Sequence, residues 1–471
     1  MIQVSMGLIG VGTMGGALAL NIAENGNDVA LWSLDLPAID ALIASAGPLA
    51  QKLKKAHSVK AMVQAMPQPR AIILLVPAGT PVDHTIDNLI PLLSSGDTII
   101  DGGNSDFRDT VVRSKRVEAA GLAYLGIGIS GGAEGARHGP AIMVGGTEAS
   151  YAIVEPVLQA IAADFEGDPC VARVGPDGAG HFVKTVHNGI EYAEMQMLAE
   201  VYGLLRDGEG RSGSEIAPVF RRWSRGPLES YLVDVTAAVL AAKDPETGEE
   251  MVDMIVDQAG QKGTGRWTVI EAIRMGQSAS IIEAAVGARV LSSQKLTRQI
   301  AAPLLVPAGI DPIAKVSEQD MESALLTGRV LGYAQGFRIF EAAAVEFEWD
   351  LDYARIAEVW RAGCIIRSAM LDDIAMAFRT DLPRGRLILA DHFIKILTQN
   401  VGGLRRVVAA AVLQGLPVPA LSSALSWFDT IRQARGTTDL IQAQRDFFGA
   451  HSFKRTDMDG DHHGPWMRKD G

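Results

Sequence analysis

An α/β domain on a doubly wound parallel sheet, followed by a large all-α domain and a C-terminal tail, is the fold class that this 471-residue chain predicts. Three observations carry it. Short apolar runs alternate with helical periods in the first third; a Gly-rich turn joins the first such run to the first helix; and after about Pro176 strand candidates give way to long helical segments. The predicted domains are 1–177, 178–435 and 436–471.

Residues 3–9 form the first strand candidate, Gly10-Val11-Gly12-Thr13-Met14-Gly15 opens a helix, and 28–33 follows as a second strand. In this order GxGxxG has a mechanism. The glycines allow a tight turn and let a pyrophosphate approach the helix N-terminus, so a Rossmann-like dinucleotide site is predicted, although a Gly-rich turn by itself is often only a turn. Strands at 71–76, 97–101 and 122–126 and a helix at 81–93 extend the alternation. Two loops then leave the strand ends: Asp101-Gly102-Gly103-Asn104-Ser105 and Ser130-Gly131-Gly132. The second can aim several N–H groups at one anion, or be a plain flexible turn.

The helical half is predicted at 178–206, 228–240, 267–275, 281–293, 318–348, 353–365 and 407–413. In the first of these, Lys184, His187, Asn188 and Glu191 stand at i, i+3, i+4 and i+7, on one stripe of a helix, with Tyr192 beside them. Phe182, Val183, Val186, Ile190, Met195, Met197 and Leu198 around that stripe are apolar, which predicts a helix packed inside protein with its polar stripe on a cleft. A solvated face with a Lys-Glu pair is the plainer reading, but Lys184 and Glu191 are two turns apart, beyond the spacing of a helix pair. Gly178, Gly180 and Gly189 predict close approach of other backbone.

Composition narrows the partners. Against 43 Lys+Arg stand 55 Asp+Glu, a formal net charge of −12, which disfavours nucleic acid. The longest run free of Asp, Glu, Lys and Arg, 407–428, is broken by Gly415, Pro417 and Pro419 and reads as two helices and a turn, so no membrane span is expected. Two distant cysteines, Cys170 and Cys364, and no basic leader predict a reduced, cytoplasmic protein. In the second domain Gly260-Gln261-Lys262-Gly263-Thr264-Gly265 sets a cation ahead of a helix, suited to an anion or to capping. Arg289, on an Ala- and Val-rich helix, has a structural ion pair as its default. The amphipathic tail, 440–451, is expected to dock on its own body or on another subunit, and His462-His463 reads as solvated rather than as a metal pair.

These motifs together resemble the decarboxylating 6-phosphogluconate dehydrogenases over essentially the whole chain. The resemblance rests on 100–105, on 130–137 with Gly139-Pro140, on 178–192, on 260–265 and on the tail 442–451. It implies that Lys184 is the general base and Glu191 the general acid. It further implies that Asn104, Ser130, Gly131, Gly132, His187 and Asn188 hold the sugar acid, and that Tyr192, Lys262 and Arg289 bind its phosphate end. Arg445 and His451 are implied to come from the tail of a second subunit, so the site would exist only in a homodimer. Oxidation at C3 of 6-phosphogluconate gives a β-keto acid; Lys184 as an ammonium then steadies the ketone oxygen while carbon dioxide leaves, so no metal is called for. Ribulose 5-phosphate is the implied product.

The cofactor pocket implied by the family comprises the Gly10 to Gly15 turn, Ser33, Leu34 and Asp35 after the second strand, Val76, Pro77 and Ala78 after the next, and Asn104. NADP-using members carry Asn-Arg-Thr where Ser33, Leu34 and Asp35 stand, and no Lys or Arg precedes Lys52. A 2′-phosphate would meet no cation there, whereas Asp35 can accept from a ribose 2′-hydroxyl, so NAD is expected over NADP. Asp35 can equally cap a helix ahead of Pro37. Two further readings stay open: an NAD-dependent β-hydroxyacid dehydrogenase acting on a small unphosphorylated acid, and a catalytically silent dinucleotide sensor. The cations at 262, 289 and 445 weigh against the first, and Lys184 with Glu191 against the second.

Overall fold

The structure, a computed structural model, describes residues 4–306 and 316–466. Residue 3 of the first predicted strand and 307–311 of the segment after Ser293 lie outside them. The chain forms two compact units, 1–424 and 425–471.

The first unit opens with alternation: β1 (Ser5–Ile9), α1 (Thr13–Glu24), β2 (Val29–Trp32), α2 (Leu36–Ser45), β3 (Leu53–Lys55), α3 (Val59–Ala65), β4 (Arg70–Leu74), α4 (Thr80–Leu89), β5 (Thr98–Asp101), α5 (Phe107–Ala119) and β6 (Ala123–Ser130). There follow α6 (Gly132–His138), β7 (Ala141–Gly146), α7 (Glu148–Ile161), a small hairpin of β8 (Asp164–Phe165) and β9 (Asp168–Pro169), and β10 (Val171–Gly175). Eight strands make one sheet in the order β10-β7-β6-β5-β4-β1-β2-β3. In β1, Leu8 faces a core with Leu31 and Ile73, while Ile9 faces another with Ile72 and Leu74. That period of two, buried on both faces, is why helices cover both sides.

The parallel, doubly wound sheet carries one antiparallel seam. β7 runs antiparallel to β6, pairing Ser130 with Ala141 and Leu125 with Gly146, and β10 then lies parallel to β7. The link between β6 and β7, only α6 and a short turn, is too brief for a parallel crossover, which takes a dozen or more residues. Neither β7 nor β10 is among the sequence-predicted strands.

The rest of the unit is helical. α8 (Ala179–Gly203) passes through a π-helical turn at Leu204–Gly208, so the helix predicted at 178–206 changes winding near its end. α9 (Gly213–Trp223), α10 (Tyr231–Ala241), α11 (Thr264–Arg274), α12 (Ser280–Ser292) and α13 (Lys295–Leu304) follow, then α14 (Glu318–Glu346), α15 (Tyr353–Val359), α16 (Met370–Phe378) and α17 (Asp391–Gln414). The helix predicted at 353–365 ends at Val359, and an irregular strap, 360–369, takes its place. The run 407–428 does divide between two helices, α17 and α18 (Pro419–Ile431), and no helix among the described residues is long and apolar enough to cross a membrane. In the second unit α19 (Thr438–Gly449) precedes an irregular tail.

What sets α8 in place is backbone contact with the sheet. A Cβ on Gly180 would strike the Gly126 carbonyl, the Gly145 nitrogen at 2.5 Å and the Met143 carbonyl at 2.6 Å, so only glycine lets the helix lie this close to β6 and β7. This seam aims the first turns of α8 at the strand end that carries Ser130.

Candidate active site

Lys184 stands in the second turn of α8, and its side chain is buried. Its Nζ donates to Ser130 Oγ at 2.9 Å and lies 3.3 Å from His187 Nδ1. Ser130 Oγ is 3.2 Å from His187 Nε2, and His187 Nδ1 is 3.1 Å from Asn188 Oδ1. A neutral imidazole carries one hydrogen. Placed on Nδ1, that hydrogen goes to Asn188, Nε2 accepts the Ser130 hydroxyl, and the hydroxyl oxygen accepts from Lys184. One directed chain of donors thus runs from the ammonium to the amide.

Burial governs the charges. It pushes the Lys184 pKa down, opposed by the nearby Glu191 carboxylate, and it pushes Glu191 up, opposed by Lys184 and Arg289. His187 falls well below the ordinary imidazole value through burial and the adjacent Lys184, which keeps it neutral. A proton can therefore sit on Glu191 with Lys184 neutral, the arrangement a base and an acid need.

A cleft of about 690 Å³ opens here. Asn104, Ser130, Gly131, Gly132, Lys184, Asn188, Glu191, Tyr192, Lys262 and Arg289 all line it, while His187 lies fully buried behind Lys184 and Ser130. Gly131 has φ +114° and Gly132 φ +65°, and a Cβ on Gly131 would strike the Gly363 carbonyl. Both residues take a shape that glycine adopts at little cost, and the turn tolerates no larger residue at 131. Lys262 is exposed, on the loop before α11. Arg289 departs from the ion-pair default: its guanidinium lies 3.4 Å from the centroid of the Tyr192 ring, with Nη1 3.5 Å from the Gly260 carbonyl. Stacked on an aromatic face, it keeps N–H groups free for a ligand anion. Arg445 and His451 belong to the second unit. There His463, half exposed, also sets Nδ1 2.6 Å from Asp446 Oδ1.

Two contributors carried no sequence signal of their own. Asp101, fully buried, accepts from Ser105 Oγ at 2.7 Å and from Gly103 N at 3.1 Å, with Arg113 Nη1 at 3.6 Å, and so shapes the loop that presents Asn104. The strap 360–369 closes the other side. Gly363 O accepts from Ala141 N at 3.1 Å beside Gly131, the Trp360 ring meets His187 edge-on at 5.3 Å, and Ile365 lines the cleft. Such contacts join positions far apart in sequence, which spacing alone does not reveal.

The dinucleotide cradle fits its part. Gly10 has φ +102°, and a Cβ there would strike the Leu75 carbonyl; Gly12 is the N-cap of α1 and offers no side-chain cap, so the first-turn N–H groups remain for a phosphate. Val11 is buried beneath the turn, Gly12 and Thr13 are exposed, Met14 reaches the substrate cleft, and Gly15 packs on the Gly10 carbonyl. Half-buried Val76 and exposed Pro77 and Ala78 follow β4 at the same sheet edge. After β2, Asp35 caps α2: its Oδ1 accepts from Ala38 N at 3.2 Å, Ser33 Oγ accepts from Asp35 N at 3.3 Å, and Leu34 is 92% exposed. Of the two roles read for Asp35, the cap is the one the geometry contains.

A nucleotide cradle at the sheet's C-terminal edge, joined to a buried lysine and a partly buried glutamate in a cation-lined cleft, defines a dinucleotide-dependent oxidoreductase. Residues 5–175 match the NAD binding domain of 6-phosphogluconate dehydrogenase and 180–466 its C-terminal domain. The NADP(+)-dependent, decarboxylating 6-phosphogluconate dehydrogenase of Bacillus subtilis is 42% identical over 98% of this chain and 99% of its own; the decarboxylating enzyme of Salmonella typhimurium is 44% identical over the same shares. The Plasmodium falciparum 6-phosphogluconate dehydrogenase, solved apo, with its cofactor NADP+ and with 6-phosphogluconate, superposes with a TM-score of 0.93 at 35% identity, covering 98% of this chain and 100% of that one. The chain belongs to the decarboxylating 6-phosphogluconate dehydrogenase family.

Proposed function

We propose that this protein converts 6-phosphogluconate to ribulose 5-phosphate and carbon dioxide, passing hydride to a nicotinamide dinucleotide, with NAD preferred to NADP. The observation that carries the reaction is the pairing of Lys184 and Glu191 in one cleft, with burial moving their pKa values toward each other. The nicotinamide, when bound, supplies the hydride acceptor. Neutral Lys184 takes the C3 hydroxyl proton as hydride leaves C3. The resulting ammonium donates to the ketone oxygen while carbon dioxide departs, and Glu191 protonates C1 of the enediol. Asn104, the 130–132 turn, His187 and Asn188 orient the sugar acid; Tyr192, Lys262 and Arg289 hold the phosphate. Such an anion clamp weighs against a small unphosphorylated acid, and the base and acid weigh against a silent sensor.

The dimer is part of this reading. α13 buries none of its own residues, and Leu296, Ile300 and Leu304 lie 70%, 57% and 74% exposed, an apolar face of the kind a second copy covers. Arg445 of the partner subunit and His451 of the partner subunit would complete the phosphate site. On this reading 1–177 serves the cofactor, 178–435 the substrate and pairing, and 436–471 the neighbouring site. The free, buried cysteines fit a reducing cytoplasm.

NAD preference rests on the loop after β2. No Lys or Arg precedes Lys52, and Asp35, held as a cap through Oδ1, leaves Oδ2 for a ribose hydroxyl and repels a 2′-phosphate. In this the proposal parts from the cofactor named for the Bacillus and Plasmodium proteins. Nicotinamide reduction with 6-phosphogluconate is expected to favour NAD in kcat/KM, and Leu34→Arg with Asp35→Thr to shift the NAD/NADP ratio toward NADP by about tenfold or more. No reduction of either cofactor by the dimer would refute the reaction; a ratio unmoved by the double substitution would refute the pocket.

A further inference from the structure

Among the described residues of the second unit, the one fully buried carboxylate is that of Asp446 on α19, and several donors converge on it. Oδ1 accepts from Ser452 N at 2.9 Å and from His463 Nδ1 at 2.6 Å; Oδ2 accepts from Gly464 N at 2.9 Å and from Trp466 Nε1 at 3.0 Å. Burial alone would raise this carboxyl, but the hydrogen bonds from Gly464, His463, Trp466 and Ser452 hold it down to about 2. It is an anion at any working pH, and its partners all come from the segment after α19.

Those bonds lead to Arg445 and His451. Gln442 Nε2 donates to the Ser452 carbonyl, and Gln442 Oε1 accepts from Arg445 Nη1 at 3.1 Å. Ala450 and Ser452, flanking His451, both have positive φ, 51° and 54°, a costly backbone shape for residues with a Cβ. The His451 ring also folds back over Gly449, where a Cβ would lie 2.6 Å from its Cδ2. A strained turn of this kind persists only when its surroundings fix it, and the Asp446 carboxylate is what fixes Ser452.

The geometry points to Asp446 as a positioning residue, which, clasped by His463, Gly464 and Trp466, holds Arg445 and His451 in the orientation that binds a sugar-acid phosphate. This rests on the reading of Arg445 and His451 as phosphate ligands in the dimer. Asp446 touches no substrate itself. The final turn, 462–466, thus acts on substrate selection by way of this carboxylate.

The test compares kcat/KM for 6-phosphogluconate with that for unphosphorylated gluconate in the full-length dimer. Asp446→Asn turns an amide N–H₂ toward N–H donors, and is expected to raise KM for 6-phosphogluconate and lower the ratio about tenfold or more, with KM for the dinucleotide unchanged. Trp466→Phe, which removes one donor and keeps the tilted ring contact with Phe453, tests the same clasp if Asp446→Asn fails to fold, and should lower the ratio by a smaller factor. A general loss of structure would depress both substrates alike and leave the ratio in place, which overturns the proposal. Arg445→Ala and His451→Ala separate the two readings: a ratio lowered by them and untouched by Asp446→Asn and Trp466→Phe overturns the role of Asp446 alone, and a ratio that neither lowers overturns the reading beneath it.

Discussion

Lys184→Met is expected to lower kcat/KM for 6-phosphogluconate by about 10³- to 10⁴-fold while the dissociation constant of the dinucleotide stays unchanged. The side chain is unbranched and similar in reach, so the packing of α8 against β6 is kept; what goes is the nitrogen 2.9 Å from Ser130 Oγ. On the proposed mechanism that nitrogen serves twice, removing the C3 hydroxyl proton and then steadying the ketone oxygen, in consecutive steps that cannot be compensated separately. The drop corresponds to about 4 to 5.5 kcal/mol of lost transition-state stabilisation. Absorbance of the reduced nicotinamide follows turnover, and titration of the dinucleotide reports binding. A fall of less than tenfold would remove Lys184 from the role of base.

The chain of hydrogens behind Lys184 explains why a lone side chain can do this. Ser130 and His187 receive no net charge, because His187 is held neutral by burial and by Lys184 itself. When the ammonium forms, the Ser130 oxygen already points a lone pair at it, and no group has to reorganise. Neutral Lys184 with protonated Glu191 carries the same total charge as ammonium with carboxylate. Moving one proton between them therefore changes what the cleft can do without changing its net charge, and burial favours the neutral pair.

The residues that make this pair were legible because helical geometry is local. Lys184, His187, Asn188 and Glu191 repeat at 3.6-residue spacing, so their stripe could be drawn from sequence, and the flanking glycines announced the close seam that Gly180 makes with β6 and β7. The strands of the nucleotide half that were found were legible as short apolar runs, because they are buried on both faces. What escaped depends on contacts between distant segments. The segment of β7, Ala-Ile-Met-Val-Gly-Gly, has no alternation, and its antiparallel course follows from the brevity of the preceding link. The strap at 360–369 continues a helical pattern in sequence, yet it is needed as irregular backbone so that Gly363 can meet Gly131. Arg289 was legible as a cation in need of a partner, but a stack on Tyr192 leaves no signature in spacing. Asp35 offered two roles, and only coordinates show Oδ1 on the Ala38 amide.

Glu191→Gln carries the second large effect, and pH dependence exposes it. On the proposed mechanism Glu191 must hold a proton to protonate C1, so wild-type activity is expected to fall as pH rises through its raised pKa; Lys184 must be neutral to act as base, so activity is expected to rise with pH through its lowered pKa. The two limbs belong to a coupled pair. With glutamine in place no side chain delivers the proton to C1, and kcat is expected to fall by about 10²- to 10³-fold with the high-pH limb gone. The remaining limb should also move. The Glu191 carboxylate raises the Lys184 pKa, so its removal lets burial push Lys184 lower still, and the rising limb shifts toward acid. In heavy water the wild type is expected to place deuterium on one face of C1 of ribulose 5-phosphate, whereas the variant, leaving the enediol to solvent, labels both faces. A variant that kept the high-pH limb and single-face labelling would transfer the acid's role to another group, for within the cleft no other carboxyl lies on the stripe that Lys184 shares.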